Sequence, residues 1–249
     1  MKPEFFSAAA LAGLLLSTVV QAVPAVQGNS GGLSLSQTRV IFDANEPGVT
    51  VSLHNKGERP WLVRARVLIA PDSMATAPFT VTPPLFRLEP NSRNTVRIMR
   101  QGGQDLPADH ESVFYLSFLA IPSSQRLDED VSTGVAAQVT VGMDTVIKLF
   151  YRPSGIAMAP QVAAGKLIVR RTEQAITVDN PTPYYQTLSS LSLDGKPVDV
   201  RAQGSMIAPF GSQRYTVSGQ PSEAVWTVIN DYGGISPTFR AAITDGKGA

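Results

Sequence analysis

The sequence predicts an all-β protein built from two sandwiches in tandem. Short apolar runs rich in Val, Ile, Thr and aromatic residues recur along the chain, with no sustained helical stripe beside them. Dense turn segments separate these runs, at a spacing typical of antiparallel sandwiches. Pro and Gly interrupt the pattern at RPSGIAMAP (152–160). We interpret this segment as the hinge between a first domain over 30–152 and a second over 157–245.

The strands of the first domain are predicted from seven runs: RVIF, VTVSLHN, WLVRARVLI, FTVTPPLFRL, NTVRIMR, ESVFYLSFLAI and AAQVTVGMDTVIKLFYR. Between them stand EPG (46–48), NKGERP (55–60), EPN (89–91) and QGGQD (101–105). Gly and Asn tolerate positive φ, and Pro removes a backbone donor, so these segments favour turns. The polar segment 123–134 lacks periodicity and is interpreted as a loop.

The second domain repeats this style with KLIVRR, AITVDN, LSSLSLDG, QRYTVSG, AVWTVIND and TFRAAIT. Each half therefore has room for a sandwich of about seven strands.

The first residues predict an exported protein. Residues 1–22 carry one cation, Lys2, then an apolar stretch and small residues at Val20 and Ala22, which is the pattern of a cleavable secretory signal. We expect a mature chain that starts near Val23 and resides in the periplasm.

Composition narrows the function classes. The chain has no Cys, a net charge of +1 and 16% charged residues without a basic cluster, which argues against nucleic acid as a partner. Its two histidines, His54 and His110, belong to no metal-ligand or catalytic pattern, and no phosphate-binding glycine loop is present. We expect neither an enzyme nor a metal, nucleotide or other cofactor.

Lys148 interrupts the apolar run TVIKLFYRP (145–153). A buried, unpaired ammonium costs several kcal/mol. The side chain must therefore point to water, pair with an anion, or await one.

Upstream of Lys148, the chain alternates between apolar and small or polar residues. Ala137, Val139, Val141 and Met143 share one face of a predicted strand. Such a row can cover the core of its own domain or remain available to another chain.

Six stretches in order resemble one family, the periplasmic pilus assembly chaperones of the chaperone–usher pathway. They are TRVIF (38–42), VTPPLFRLEP (81–90), LPADHESVFYLSFLAIPS (106–123), TVIKLFYRP (145–153), NPTPYY (180–185) and INDYGG (229–234). The resemblance spans nearly the whole mature chain. It implies two immunoglobulin-like domains at an angle, with a cleft between them.

The resemblance also implies residue roles. Arg39 and Lys148 match a basic pair that anchors the C-terminal carboxylate of a pilus subunit, and the row from Ala137 to Met143 matches the donor strand that completes the subunit's fold. The ordinary alternatives are exposed or internally paired cations, and a row that packs inward.

Glu111, Arg152 and Asp231 match an ionic network between the two domains. His110 and Ser117 depart from the family, which more often has a basic residue and Asn at these positions. The stretch between Pro122 and Lys148 also does not decide which branch of the family the chain belongs to.

The partners implied are pilus or fimbrial subunits, an outer-membrane usher and, for the free protein, a self-capping homodimer. The rival interpretation is a pilus subunit or surface adhesin module. Such a protein usually has one incomplete sandwich, whereas this chain has two complete-looking halves.

Overall fold

The computed structural model describes residues 32–73, 75, 77–102, 105–123, 141–172 and 175–246. Nearly all regular structure in these ranges is β-strand, as predicted. Two separate hydrophobic cores form, one before Pro153 and one after it.

In the described ranges the first sandwich contains nine strands: β1 (Leu33–Leu35), β2 (Arg39–Asp43), β3 (Val49–Asn55), β4 (Trp61–Leu68), β5 (Phe79–Thr82), β6 (Leu85–Leu88), β7 (Ser92–Arg100), β8 (Ser112–Pro122) and β9 (Met143–Arg152). One sheet has the order β1-β3-β7-β5 and the other β2-β9-β8-β4-β6. The pairs are antiparallel except β2 with β9, which is parallel.

Alternation of side chains builds the first core. In β4, Val63, Ala65 and Val67 are buried, while Leu62 and Arg64 face outward. Each large apolar side chain buried in this way contributes about 1.5–3 kcal/mol. The period-two pattern of the sequence therefore fixes which face of each sheet points inward.

The run FTVTPPLFRL forms two strands instead of one continuous strand. β5 pairs with β7 in one sheet, and β6 pairs with β4 in the other. Pro83 and Pro84 lie between them, and neither can donate a backbone hydrogen bond to a ladder. The chain changes sheets at this point.

The second sandwich also contains nine strands: β10 (Ile168–Arg171), β11 (Ala175–Asp179), β12 (Gln186–Leu193), β13 (Lys196–Pro197), β14 (Met206–Ile207), β15 (Ser212–Thr216), β16 (Glu223–Val228), β17 (Phe239–Ala242) and β18 (Thr244–Asp245). The sheets have the orders β15-β11-β10-β18 and β13-β12-β16-β17, and β14 pairs with β12. Trp226 is fully buried in this core and donates from Nε1 to the Ala164 carbonyl at 3.1 Å.

Short helices that the sequence did not reveal occur only in the second half of the described chain. They are α1 (Pro160–Ala163), a 3-10 turn (Ala164–Lys166) and α2 (Val200–Gln203). Three or four residues are too few to show a helical period. No helix of the described residues has the length and apolar character needed to cross a membrane.

Several predictions concern residues outside the described ranges. They are the signal over 1–22, most of the predicted loop over 123–134, and the donor-strand residues Ala137 and Val139.

Candidate functional site

Strand β9 carries the candidate site because its two faces have different environments. Leu149 and Tyr151 belong to the first core. On the other face, Phe150 contacts the Tyr185 ring of the second domain, with centroids 5.7 Å apart. Lys148 and Arg152 flank Phe150 on this face. The strand therefore holds its basic residues on the side opposite the first core.

Arg39 and Lys148 are direct neighbours across the parallel pair of β2 and β9. Arg39 donates from Nη1 to the Ile229 carbonyl at 3.0 Å, and its guanidinium lies 5.6 Å from the Phe150 ring centroid. Its Nε is buried without a hydrogen-bond partner among the described residues. Within that part of the chain, neither cation forms an ion pair.

The pKa shifts of the two cations show an incompletely compensated positive charge. Burial lowers the pKa of Lys148, and the neighbouring Arg39 lowers it further. Burial also lowers the pKa of Arg39, against Asp231 and Glu111, which raise it. An anion placed between the two cations would remove this repulsion, and Arg39 can offer it directed donors.

Arg152, Glu111 and Asp231 are brought together, as the resemblance implied. Arg152 donates from Nε to Glu111 Oε1 at 2.9 Å. Its two terminal nitrogens donate to Asp231 Oδ2 and Oδ1 at 2.9 and 3.0 Å, which is a bidentate pair. Glu111 Oε2 also accepts from the Tyr185 backbone N–H at 2.9 Å. These contacts join the end of β9 and the residue just before β8 in the first domain to two loops of the second.

Glu111 is deeply buried in this network, at 3% exposed. Burial raises the pKa of Glu111, and Arg152 only partly offsets this effect. Burial lowers the pKa of Arg152, but the hydrogen bonds and charges of Asp231 and Glu111 outweigh it and leave the pKa raised. Arg152 therefore remains charged, and the network depends on it.

A cavity of about 350 Å³ lies beside Arg39, between the two domains. Arg39 and Phe150 line it from the first domain, and Tyr184, Val228 and Phe239 from the second. Sequence reasoning found the basic side of this cleft but missed its apolar wall. The wall residues are spread over separate strands and loops of the second domain. Tyr184 belongs to the stretch NPTPYY (180–185), but no single motif contains the wall.

The start of β9 has an open edge. Its residues Met143–Ile147 pair with β8 on one side, whereas β2 covers the opposite side only from Lys148 onward. No described strand lies along the rest of that edge. Val141, just before the strand, is 75% exposed and Met143 is 39% exposed.

Family models match both halves of the chain. The model described as "Pili and flagellar-assembly chaperone, PapD N-terminal domain" matches residues 32–157, and "Pili assembly chaperone PapD, C-terminal domain" matches residues 162–240. The chain belongs to the PapD family of pilus assembly chaperones.

Individual relatives agree with this assignment. The probable fimbrial chaperone ElfD of Escherichia coli O157:H7 is 35% identical over 210 residues, covering 83% of this chain and 85% of that protein. The chaperone FimB/FhaD of Bordetella pertussis is 34% identical over 247 residues, covering 95% and 96%. The predicted family and chaperone function are confirmed, and the alternative of a pilus subunit or adhesin is not supported.

Solved structures support the same architecture. The E. coli chaperone DraB superposes with a TM-score of 0.74 at 37% identity, covering 86% of this chain and 97% of that one. A Salmonella enterica complex of SafA pilin with the SafB chaperone gives a TM-score of 0.73 at 34% identity, covering 85% and 96%. The predicted pair of immunoglobulin-like domains is confirmed.

In the present chain, a hairpin of the second domain (229–235) lies against Arg39 of the basic pair. Asn230 closes the hairpin because its Oδ1 accepts from the N–H groups of Tyr232 and Gly234 at 3.0 and 2.9 Å. Gly233 has a φ of +81°, and a Cβ at this position would collide with Thr38 Oγ1, immediately before Arg39. The hairpin can approach β2 this closely only because residue 233 is glycine.

Replacing Gly233 with alanine is expected to lower the free energy of unfolding by about 1–3 kcal/mol, from left-handed strain and the clash with Thr38. Urea unfolding of both proteins measures this change. Gly195 also has positive φ, at +78°, but has open space around it. Gly195→Ala should therefore cost less, and equal losses at the two positions would contradict a role for the contact with Thr38.

Both departures from the family pattern have local partners. Ser117 donates from Oγ to Asp144 Oδ1 at 2.8 Å, which links β8 to β9. The His110 ring lies edge-on to Phe210 of the second domain, with centroids 5.8 Å apart. The described residues contain no cluster of His, Asp and Glu that could hold a metal ion.

Proposed function

We propose that this chaperone holds a pilus subunit in the periplasm through two contacts, one at the paired ends of β2 and β9 and one along the residues that lead into β9. Arg39 and Lys148 bind the C-terminal carboxylate of the subunit. The apolar row upstream, from Ala137 to Met143, completes the subunit's fold. The observation that carries the proposal is the position of two incompletely compensated cations at the end of an open strand edge.

The geometry supports one direction for the bound strand. A subunit strand added along Met143–Ile147 would lie on the side of β9 that β2 covers from Lys148 onward. Its carboxylate can reach Arg39 and Lys148 only if the strand runs in the same direction as β9. The added strand would therefore be parallel to β9, as β2 is, and would gain main-chain hydrogen bonds from the open edge.

Two kinds of interaction would supply the affinity. A carboxylate shared by Arg39 and Lys148 makes charge-assisted hydrogen bonds, which are among the stronger polar contacts in proteins. Each Val or Met of the row that fills a subunit pocket contributes about 1.5–3 kcal/mol. In the free protein Val141 and Met143 of this row are exposed, and a second copy of the chain could cover them.

The proposal needs no catalytic residue or nucleotide, in keeping with the non-enzymatic role of the family. The secretory signal over 1–22 would direct the chain to the periplasm. Release would follow when a better-fitting strand replaces β9, with delivery of the subunit to an outer-membrane usher.

Val141→Asp tests the donor role. The variant is expected to lose subunit capture by tenfold or more, because it would place an uncompensated charge in an apolar pocket of the subunit. The measurement is affinity purification of the tagged chaperone from its native periplasm, with mass spectrometry of the proteins that accompany it.

The matched control is Ile69→Asp, which makes the same change at a half-exposed residue in the turn after β4. This control should retain the subunit. If Val141→Asp and the unchanged chain recover equal amounts of subunit, the donor role is wrong and the row serves only its own domain.

A further inference from the structure

The second domain presents two exposed apolar side chains beside the anchor pair. Tyr232 is 91% exposed and Ile235 is 67% exposed, and both lie on the hairpin closed by Asn230. Isolated exposed apolar residues are ordinary on protein surfaces. Here a large aromatic and a branched aliphatic residue lie three positions apart on one hairpin, and Tyr232 also lines the cavity beside Arg39.

The hairpin fixes the backbone that carries these two side chains. The Asn230 backbone N–H donates to the Gly234 carbonyl at 2.8 Å, and the Gly233 N–H donates to the Asn230 carbonyl at 3.0 Å. On either side of Tyr232, Asp231 is fixed by Arg152 and Gly233 packs against Thr38. Rigid presentation lowers the entropy that binding would cost, which makes an exposed aromatic an effective contact residue.

The hairpin is continuous with the anchor site. Its first residue, Ile229, accepts the hydrogen bond from Arg39, and Tyr232 lines the same 350 Å³ cavity as Arg39. A polypeptide whose carboxylate is held at Arg39 and Lys148 ends next to the residue that this hairpin contacts. Its C-terminal side chains would then be the ones nearest to Tyr232.

We propose that Tyr232 and Ile235 form a second contact surface for the captured subunit, on the domain that does not donate a strand. The surface would pack against apolar side chains of the subunit's C-terminal segment, next to the anchored carboxylate. Tyr suits this position because its ring supplies apolar area and its hydroxyl can remain in water. The inference rests on the proposed anchoring of the subunit at Arg39 and Lys148.

A competition experiment tests the inference. The unchanged chaperone and one variant, carrying different tags, are co-expressed at equal levels with the subunit that co-purifies with the unchanged chain. Tyr232→Ala is expected to reduce the variant's share of subunit about tenfold, as for a central aromatic contact. Ile235→Ala should reduce it about threefold. Because both side chains are exposed, thermal unfolding of the free variants should match that of the unchanged chain.

The control is Ile168→Ala, at an exposed isoleucine of the same domain that lies on β10 and outside the hairpin. It should leave the share unchanged. A loss with Ile168→Ala equal to that with Ile235→Ala would overturn the inference, because the effect would not be specific to the hairpin.

Two further outcomes separate the possible failures. If Val141→Asp loses the subunit in this assay and Tyr232→Ala does not, the hairpin surface is wrong while strand donation stands. If neither variant loses it, the proposed function fails as well. A Tyr232→Ala variant that changes only the sedimentation of the free protein would assign the surface to a second copy of the chain and overturn the inference.

Discussion

Arg152→Ala is expected to lower the free energy of unfolding by about 3–5 kcal/mol. The substitution leaves Glu111, which is 3% exposed, without the cation that offsets its burial. It also releases Asp231 and with it the hairpin of the second domain. Urea or thermal unfolding of the full chain measures the loss.

The comparison that isolates burial is Arg240→Ala. Arg240 pairs with Glu223 at 3.3 Å, and both side chains are exposed, so its removal should cost less than about 1 kcal/mol. Adding Glu111→Gln to Arg152→Ala should recover part of the loss, since it removes the stranded charge. If Arg152→Ala and Arg240→Ala cost the same, the network does not stabilise the domain interface.

Lys148→Met is expected to weaken subunit capture by about 10- to 100-fold, the equivalent of one hydrogen bond to a charged group. Stability should be retained or rise by less than about 1 kcal/mol, because the ammonium is half-buried beside another cation and forms no ion pair with any described residue. Competition for the subunit measures the first effect and thermal unfolding the second.

Arg39→Met should behave differently, although it serves the same proposed anchor. Arg39 also bonds the Ile229 carbonyl, so its loss should weaken both capture and the contact between the domains. If Lys148→Met unfolded the chaperone, the lysine would be a structural residue and its assignment to the anchor would be wrong.

The sequence predicted the architecture well because burial in a sandwich depends on a simple period. Runs such as WLVRARVLI predicted strands, β4 among them, and turn residues marked the ends of most of these strands. The resemblance placed Arg39 next to Lys148, and Arg152 next to Glu111 and Asp231. The structure adds that Arg39 is already partly engaged by Ile229 whereas Lys148 has no ion pair among the described residues.

The features missed from the sequence depend on contacts between distant segments. No local sequence signal shows that the chain changes sheets at Pro83 and Pro84, because the strands before and after the two prolines could have belonged to the same sheet. The apolar wall of the cavity comes from residues far apart in the chain. Tyr232 belongs to the stretch INDYGG, but the sequence does not show that its side chain is exposed. The exposure follows from the turn at Gly233 and the contact with Thr38.

The start of β2 has a consequence for how a bound strand is aligned. Because β2 occupies the edge of β9 from Lys148 onward, an added strand cannot slide past Arg39. One extra residue at its end would push it back by about 3.3 Å. It would also turn every side chain of the strand to the opposite face. On the proposed mode of binding, β2 therefore limits how far the added strand extends along β9, and the C-terminus of the subunit sets the register of its last strand.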